Sequence, residues 1–250
     1  MSPSFVPNQK KVIFFDMNNT LVDRRKCFDS AFVSVLKDFT GRWSSEDTEL
    51  NPQQALQNYK IEWSRHRKTT GKDFEAGDEL RYNCLLKALE PYHFKVTPGF
   101  SKIFFKQIDD AEESFISLFP GVEETLRALS AKYTLAIISN GSRKRLEQNL
   151  NKLQLTRWIR DDWIFTSQQD GPRKPHPGLF ETAMATTGTS PAQGLMIGNS
   201  WKNDIIGATR CGLDAIWIHP NHVKKISQRK IGKQKVVIIR SFRHLIHVLL

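Results

Sequence analysis

The sequence contains few cysteines and no long apolar run. Its three cysteines, Cys27, Cys84 and Cys211, are an odd number, lie far apart and form no C-x-x-C pair. This spacing argues against a disulfide framework or a cysteine zinc site and favours a reducing compartment. The longest late apolar stretch, residues 236–250, is interrupted by arginine and histidine side chains. It is therefore too broken to predict a membrane span.

An export signal, internal repeats and low-complexity segments are also missing. Residues 1–10 contain two prolines and no apolar core, which is unlike a signal peptide, so we expect a cytoplasmic protein. Hydrophobic residues make up 39% and charged residues 25% of the 250 positions, as in ordinary globular proteins. This length suits one large domain, or one domain that carries an insertion.

Acidic residues are outnumbered by basic ones. The chain has 37 Lys and Arg residues against 26 Asp and Glu residues, and this net charge of +11 favours anionic partners such as phosphate esters. Residues 224–235 include six basic side chains and no acidic one, but neither interleaved aromatic residues nor a nucleic-acid-binding module. We therefore expect a solvated loop there, and neither nucleic acid nor a membrane as a partner.

Six short apolar runs predict buried parallel strands. Between most of these runs, apolar residues recur at the spacing of a helix face. Strands that alternate with helices predict a doubly wound parallel sheet, a Rossmann-like α/β core with helices on both faces. The six runs are residues 11–16, 133–139, 163–167, 194–198, 215–219 and 236–240.

The stretch between residues 22 and 118 contains no strand pattern of this kind. Its apolar residues repeat at helical spacing instead, and four helices are expected. We therefore predict an α-helical domain, residues 22–118, inserted into an α/β core of residues 1–21 and 119–250. The expected helices cover residues 28–39, 51–68, 78–90 and 104–118.

Four polar motifs stand at the ends of predicted strands or in the loops that follow them. Because the carboxyl ends of parallel strands meet at one edge of a sheet, we expect the motifs to converge on one crevice. They supply two carboxylates, an ammonium group, and a hydroxyl with backbone N–H groups at a helix start, a set that suits an oxyanion such as phosphate. The motifs are Asp16-Met-Asn18-Asn-Thr20, Ser139-Asn140-Gly141, Lys174-Pro175, and Gly198-Asn199-Ser200 with Asp204.

In this order the motifs resemble the haloacid dehalogenase-like hydrolase superfamily, whose members are mostly magnesium-dependent phosphatases. Residues 11–23 and 119–219 carry the likeness, which includes Arg173-Lys-Pro-His-Pro and Asn203-Asp-Ile-Ile-Gly-Ala208. The inserted helices look like the helical cap of that family. The resemblance implies hydrolysis of a small phosphorylated substrate through an aspartyl-phosphate.

The resemblance also implies a role for each motif residue. Asp16 matches the nucleophile, and Lys174 matches the cation that restrains it and neutralises developing charge. Asn18 stands where the family has its acid–base residue. The implied phosphate contacts are Thr20, Ser139, Asn140, Gly141 and Lys174, and the implied ligands of a Mg²⁺ cofactor are Asp16, the Asn18 carbonyl, Asn199 and Asp204.

Asn18 and Asn199 depart from the phosphatase pattern, in which both positions are usually Asp. An amide cannot donate and recover a proton, and a positioned acid–base group contributes about 10²–10⁴-fold to a rate. Asn199 offers a neutral oxygen to a cation in place of a charged one. We therefore expect magnesium to be held weakly or not at all, and turnover to be slow.

Several explanations of these departures stay open. In one explanation, Asn18 is tolerated because the family uses the backbone carbonyl at this position, and not the side chain, as its metal contact. Another acid, such as Asp23, Asp73 or Glu75, is an alternative proton donor. The protein is alternatively a phosphate-binding protein without turnover. Dehalogenation is a further alternative, because metal-independent 2-haloacid dehalogenases of this superfamily also lack acids at both positions, although they have Tyr and Gly where this chain has Asn18 and Asn19.

Overall fold

The computed structural model describes residues 9–41, 50–70, 77–92, 95–167 and 171–250, with the side chains of residues 67–70 left out. The chain divides into two compact units, Met1–Arg24 with Ser117–Leu250 and Arg25–Ile116. No helix within the described ranges is long and apolar enough to cross a membrane. Asp73 and Glu75, two of the alternative proton donors, lie outside the described residues.

A seven-stranded sheet forms the centre of the first unit. Its strands are β1 Val12–Phe15, β2 Thr134–Ser139, β3 Ile159–Thr166, β4 Gly194–Gly198, β5 Asp214–Ile218, β6 Ile226–Ile231 and β7 Gln234–Ile239. Their order is β3-β2-β1-β4-β5-β7-β6, and every neighbouring pair is parallel except β7 and β6. The predicted doubly wound, mainly parallel α/β fold is confirmed.

Helices cover both faces of this sheet because strand side chains alternate between the two faces. On one face, Phe14 of β1 belongs to a buried apolar cluster with Phe180. On the other face, the ring of Phe15 lies 5.8 Å from that of Phe242. The helices are α5 Val122–Ser130, α6 Arg143–Lys152, α7 Pro177–Thr186, α8 Gly207–Arg210 and α9 His244–Leu249, and a π-helical turn, Trp201–Ile206, leads into α8.

The basic segment of residues 224–235 is a β-hairpin, so the prediction of a solvated loop was wrong. Six residues of it form β6, which pairs with β7 across a two-residue turn at Gly232, where φ is +59°. A glycine with positive φ suits such tight turns. Strand β6 was not predicted because none of its side chains is buried, so its sequence has no apolar pattern. It is stabilised by backbone pairing with β7. Lysines on an edge strand also discourage pairing with other chains.

The described residues of the second unit form four α-helices, α1 Arg24–Thr40, α2 Pro52–Thr70, α3 Asp78–Leu89 and α4 Pro98–Ala111. Aromatic rings dominate their shared core, where Phe32 lies 5.4 Å from Tyr59 and 5.2 Å from Phe104 between ring centroids. The predicted last helix ran on to Leu118, which was wrong. Leu118 instead pairs as extended backbone with Val22 and so cannot continue the helix.

Candidate active site

The sheet register brings the polar motifs together. Phe15 of β1 lies opposite Ile137 of β2 and Ile197 of β4, so the carboxyl ends of these three parallel strands are level. Asp16 directly follows β1, and Ser139 is the last residue of β2. These motifs therefore meet at the carboxyl edge of the sheet, which is where parallel α/β folds bind ligands.

Lys174 lies at the centre of this site. Its Nζ donates to Asp16 Oδ1 at 2.8 Å, to Asp204 Oδ1 at 2.7 Å and to the carbonyl oxygen of Ile138 at 2.7 Å. An ammonium group has three protons, so these contacts use all of them. Burial by itself lowers the pKa of Lys174, but the two carboxylates raise it, and the net pKa lies above the ordinary value. The lysine is therefore a fixed positive charge without a proton to donate to a ligand.

Asp204 is the second carboxylate of the site, and only 1% of its side chain is exposed. Its Oδ1 accepts from Lys174, and its Oδ2 accepts from the backbone N–H of Ser200 at 2.8 Å. Burial raises the pKa of Asp204 to about 6, against the lowering effect of Lys174. Both oxygens are thus committed to holding the lysine and the loop after β4.

Asp16 is oriented by two donors. Its Oδ1 accepts from Lys174, and its Oδ2 accepts from Thr20 Oγ1 at 2.9 Å. The same hydroxyl lies 3.3 Å from Asn199 Oδ1, so Thr20 links the loops after β1 and β4. Thr20 is 1% exposed and its single proton is already shared, which makes it a positioning residue for Asp16.

Asn140 holds the backbone of Lys174. Its Oδ1 accepts from the Lys174 N–H at 2.8 Å, and its Nδ2 donates to the Lys174 carbonyl oxygen at 3.0 Å. Both ends of the amide are therefore engaged in aligning the lysine loop. Four of the five expected phosphate contacts donate to protein oxygens in place of a ligand, namely Thr20, Asn140, Lys174 and the Gly141 N–H.

Replacing Asn140 with alanine should misplace Lys174 and slow the reaction. A lost pair of hydrogen bonds and a displaced charge should lower kcat by about tenfold to 10²-fold, because small misplacements at a reacting centre are costly. We expect KM to change by less than about threefold, since the anion contacts remain. Steady-state kinetics measure both values. The exposed Asn151→Ala variant on α6 is the control, and an unchanged kcat in Asn140→Ala would contradict this role.

Ser139 and Asn18 are the groups placed to meet an anion. Ser139 Oγ accepts from the Gly141 N–H at 3.1 Å, which leaves its own proton to donate. A Cβ atom placed on Gly141 would lie 3.4 Å from Ser139 Oγ and 3.8 Å from Asn18 Nδ2, so both groups border one small space. Helix α6 begins two residues after Gly141, at Arg143, and the amino end of a helix favours anions. We call the space beside Gly141 the anion space, because an oxyanion there would meet the Ser139 hydroxyl and the Asn18 amide.

Gly198 makes room for the second carboxylate. A Cβ atom at this position would overlap with Oδ2 of Asp204. We expect Gly198→Ala to destabilise the protein by about 1–3 kcal/mol, because overpacking a buried site forces neighbours to move. Urea denaturation measures the change. Gly99→Ala, whose Cβ would have its nearest neighbour at 4.0 Å, is the control, and equal stabilities of the two variants would contradict the packing explanation.

The residues expected to hold magnesium offer a divalent cation a weak donor set. All four carboxylate oxygens of Asp16 and Asp204 already accept hydrogen bonds from protein donors. Lys174 cancels one of the two negative charges, and Asn199 adds none. Magnesium prefers charged oxygen ligands. In the described part of the chain, no group of three or more His, Cys, Asp or Glu side chains could hold a metal ion.

Trp217 is a site residue that the sequence pattern does not reveal. Its Nε1 donates to the carbonyl oxygen of Asn199 at 2.9 Å, and its ring lies 4.8 Å from that of Trp201. The strand pairing places it opposite Gly198 at the end of β4. From sequence alone, a tryptophan in an apolar strand indicates core packing. The pairing of β4 with β5 is what shows that Trp217 holds the loop that contains Asn199.

Comparison with known proteins places the chain in a family. A family model described as haloacid dehalogenase-like hydrolase matches residues 13–218. Glyceraldehyde 3-phosphate phosphatase of Pyrococcus furiosus is 23% identical over 208 residues, covering 83% of this chain and 80% of that protein. Its namesake of Methanothermobacter thermautotrophicus is 26% identical over 213 residues, covering 84% and 85%.

A solved structure agrees with this match. The HAD-hydrolase YfnB of Bacillus subtilis, bound to magnesium, superimposes with a TM-score of 0.62 at 20% identity, covering 96% of this chain and 98% of that one. Such an identity shows the fold alone. The family model, however, covers most of the sequence, and the fold and the order of the motifs agree with it. The chain therefore belongs to the haloacid dehalogenase-like hydrolase family.

Proposed function

We propose that the protein hydrolyses small phosphomonoesters through an aspartyl-phosphate on Asp16. The observation that carries the proposal is the buried Asp16 carboxylate, oriented by Thr20 and Lys174 at the carboxyl end of β1. An ionised carboxylate needs no base in order to attack phosphorus. The two archaeal relatives, which are named as glyceraldehyde 3-phosphate phosphatases, support phosphate release from a small phosphorylated substrate.

The first step transfers the phosphoryl group to the protein. An oxygen of Asp16 forms a bond to phosphorus while the bond from phosphorus to the leaving oxygen breaks, and both electrons stay on that oxygen. Ser139 and Asn18 donate hydrogen bonds to the phosphoryl oxygens, since both border the anion space. Lys174 stabilises the site as a fixed charge, because its protons are engaged by protein oxygens.

The second step releases phosphate. A water oxygen attacks phosphorus, the bond to Asp16 breaks, and the electron pair returns to the carboxylate. Asn18 is an amide and cannot take the proton from that water. The proton therefore leaves to solvent, and we expect this step to be slower than the first.

A panel of phosphate esters tests the proposal. We expect phosphate release that requires Asp16, assayed in parallel with magnesium and with a chelator because the donor set argues against the expected Mg²⁺ cofactor. Tight phosphate binding without release would favour the phosphate-binding alternative instead. Halide release from 2-haloacids in chelator would favour dehalogenation.

A further inference from the structure

None of the acidic or ammonium groups in the four motifs is placed to give a proton to the leaving group. Asp16 is the nucleophile of the proposed reaction. Asp204 is 1% exposed, and both of its oxygens accept hydrogen bonds from Lys174 and Ser200. The three protons of Lys174 are directed to protein oxygens. Each acidic or ammonium group at this site is thus engaged in holding another.

The remaining polar groups can donate hydrogen bonds but not a proton. Asn18 Nδ2 and Ser139 Oγ lie 3.8 and 3.4 Å from the position that a Cβ atom on Gly141 would take. An amide or an alkyl hydroxyl is no more acidic than the alcohol that an alkyl phosphate releases, so neither is an effective general acid for that leaving group. Without a proton from the described motif residues, negative charge that develops on the leaving oxygen stays on the leaving group.

We infer that the site is restricted to phosphoryl donors whose leaving oxygen is stable as an anion, namely acyl phosphates and aryl phosphates. The inference rests on the proposed function and names its substrate class. In the first step, the bond between phosphorus and the carboxylate or phenolate oxygen breaks with both electrons on that oxygen. No proton is required, so the reaction balances without an acid. An alkyl phosphate would have to expel an unprotonated alkoxide, which is far more basic.

A series of substrates with graded leaving groups tests the inference. The substrates are acetyl phosphate, aryl phosphates that span phenol pKa values, and an alkyl phosphate such as glycerol phosphate. We expect kcat/KM, which reports the first irreversible step, to fall by at least about threefold for each unit of leaving-group pKa. Acetyl phosphate should exceed the alkyl phosphate by more than about 10²-fold.

Asn18→Asp supplies the missing acid and is the decisive variant. Its kcat/KM for the alkyl phosphate should rise by about 10²–10⁴-fold, and its dependence on leaving-group pKa should flatten. Asn18→Ala should keep the steep dependence of the original protein. Asn151→Asp on the exposed face of α6 controls for an added negative charge.

The outcomes separate this inference from the proposed function. A flat dependence with measurable turnover in the original protein would overturn the inference, because it would require an acid outside the described site. An unchanged alkyl-phosphate rate in a folded Asn18→Asp variant would overturn the assignment of the defect to Asn18. Absence of phosphate release from every substrate, together with no phosphoryl group on Asp16, would overturn the proposed function itself.

Discussion

Asp16→Asn should abolish phosphate release, with kcat reduced by at least about 10⁴-fold for the best substrate. The substitution keeps the shape of the side chain, so Thr20 and Lys174 retain neighbours of the same size. It removes the anionic oxygen that attacks phosphorus, and no other carboxylate of the described core site can replace it, because Asp204 is locked by Lys174 and Ser200. Phosphate release under saturating substrate measures the loss.

A matched control makes this result specific. Asp162→Asn changes the same chemical group at a position where 74% of the side chain is exposed. We expect it to keep full activity. Circular dichroism should show that Asp16→Asn is folded. Residual activity of Asp16→Asn above about 1% of the original rate would mean that another residue is the nucleophile.

Lys174→Met should cost both activity and stability. Only 2% of the lysine side chain is exposed, and its removal leaves the carboxylates of Asp16 and Asp204 facing each other without a cation. Removal of one partner from a buried ion pair costs about 3–5 kcal/mol of unfolding free energy. Urea denaturation measures this loss, and we expect kcat to fall below detection because like charges displace Asp16.

The pH dependence of Lys174→Met follows from the pKa of Asp204. Burial already raises that pKa to about 6 from 3.8, so the folded protein binds this proton more tightly than the unfolded chain does. Because the pKa of this acid is higher in the folded protein, unfolding free energy is lost as the pH rises from 3.8 to about 6. Without Lys174 the pKa of Asp204 rises further, so the protein continues to lose unfolding free energy at higher pH values.

The stability deficit of Lys174→Met should therefore be larger at pH 8 than at pH 5. The exposed Lys144→Met variant on α6 controls for the general effect of the substitution and should differ little from the original protein at either pH. A deficit that is equal at the two pH values would contradict the view that Lys174 neutralises buried carboxylates.

Much of the fold and the neighbourhood of the site could be predicted from the sequence. Apolar runs that end in polar residues predicted parallel strands, and parallel strands bring their carboxyl ends to one edge, which is how Asp16, Ser139 and Asp204 come together. β6 could not be predicted in this way. Its charged side chains carry no burial pattern, because it is stabilised by backbone pairing with β7.

The partners of individual site residues were beyond sequence patterns. The sequence predicted Thr20 and Asn140 as phosphate contacts. In the structure, Thr20 instead contacts Asn199, which is 179 positions away, and Asn140 binds Lys174, which is 34 positions away. The partners of Lys174 were also beyond prediction. They are Asp16 after β1, Ile138 in β2 and Asp204 in the π-helical turn. Such contacts depend on the packing of the loops, which leaves no spacing signal in the chain.

Direct detection of the phosphorylated protein tests the central claim most closely. The protein is mixed with acetyl phosphate, quenched in acid within milliseconds to seconds, and its peptides are analysed by mass spectrometry. Because Asn18 cannot activate water for the second step, the account predicts that one phosphoryl group accumulates on the peptide containing Asp16 and is missing from Asp16→Asn. Steady phosphate release with no phosphoryl group on Asp16 at any time would contradict it.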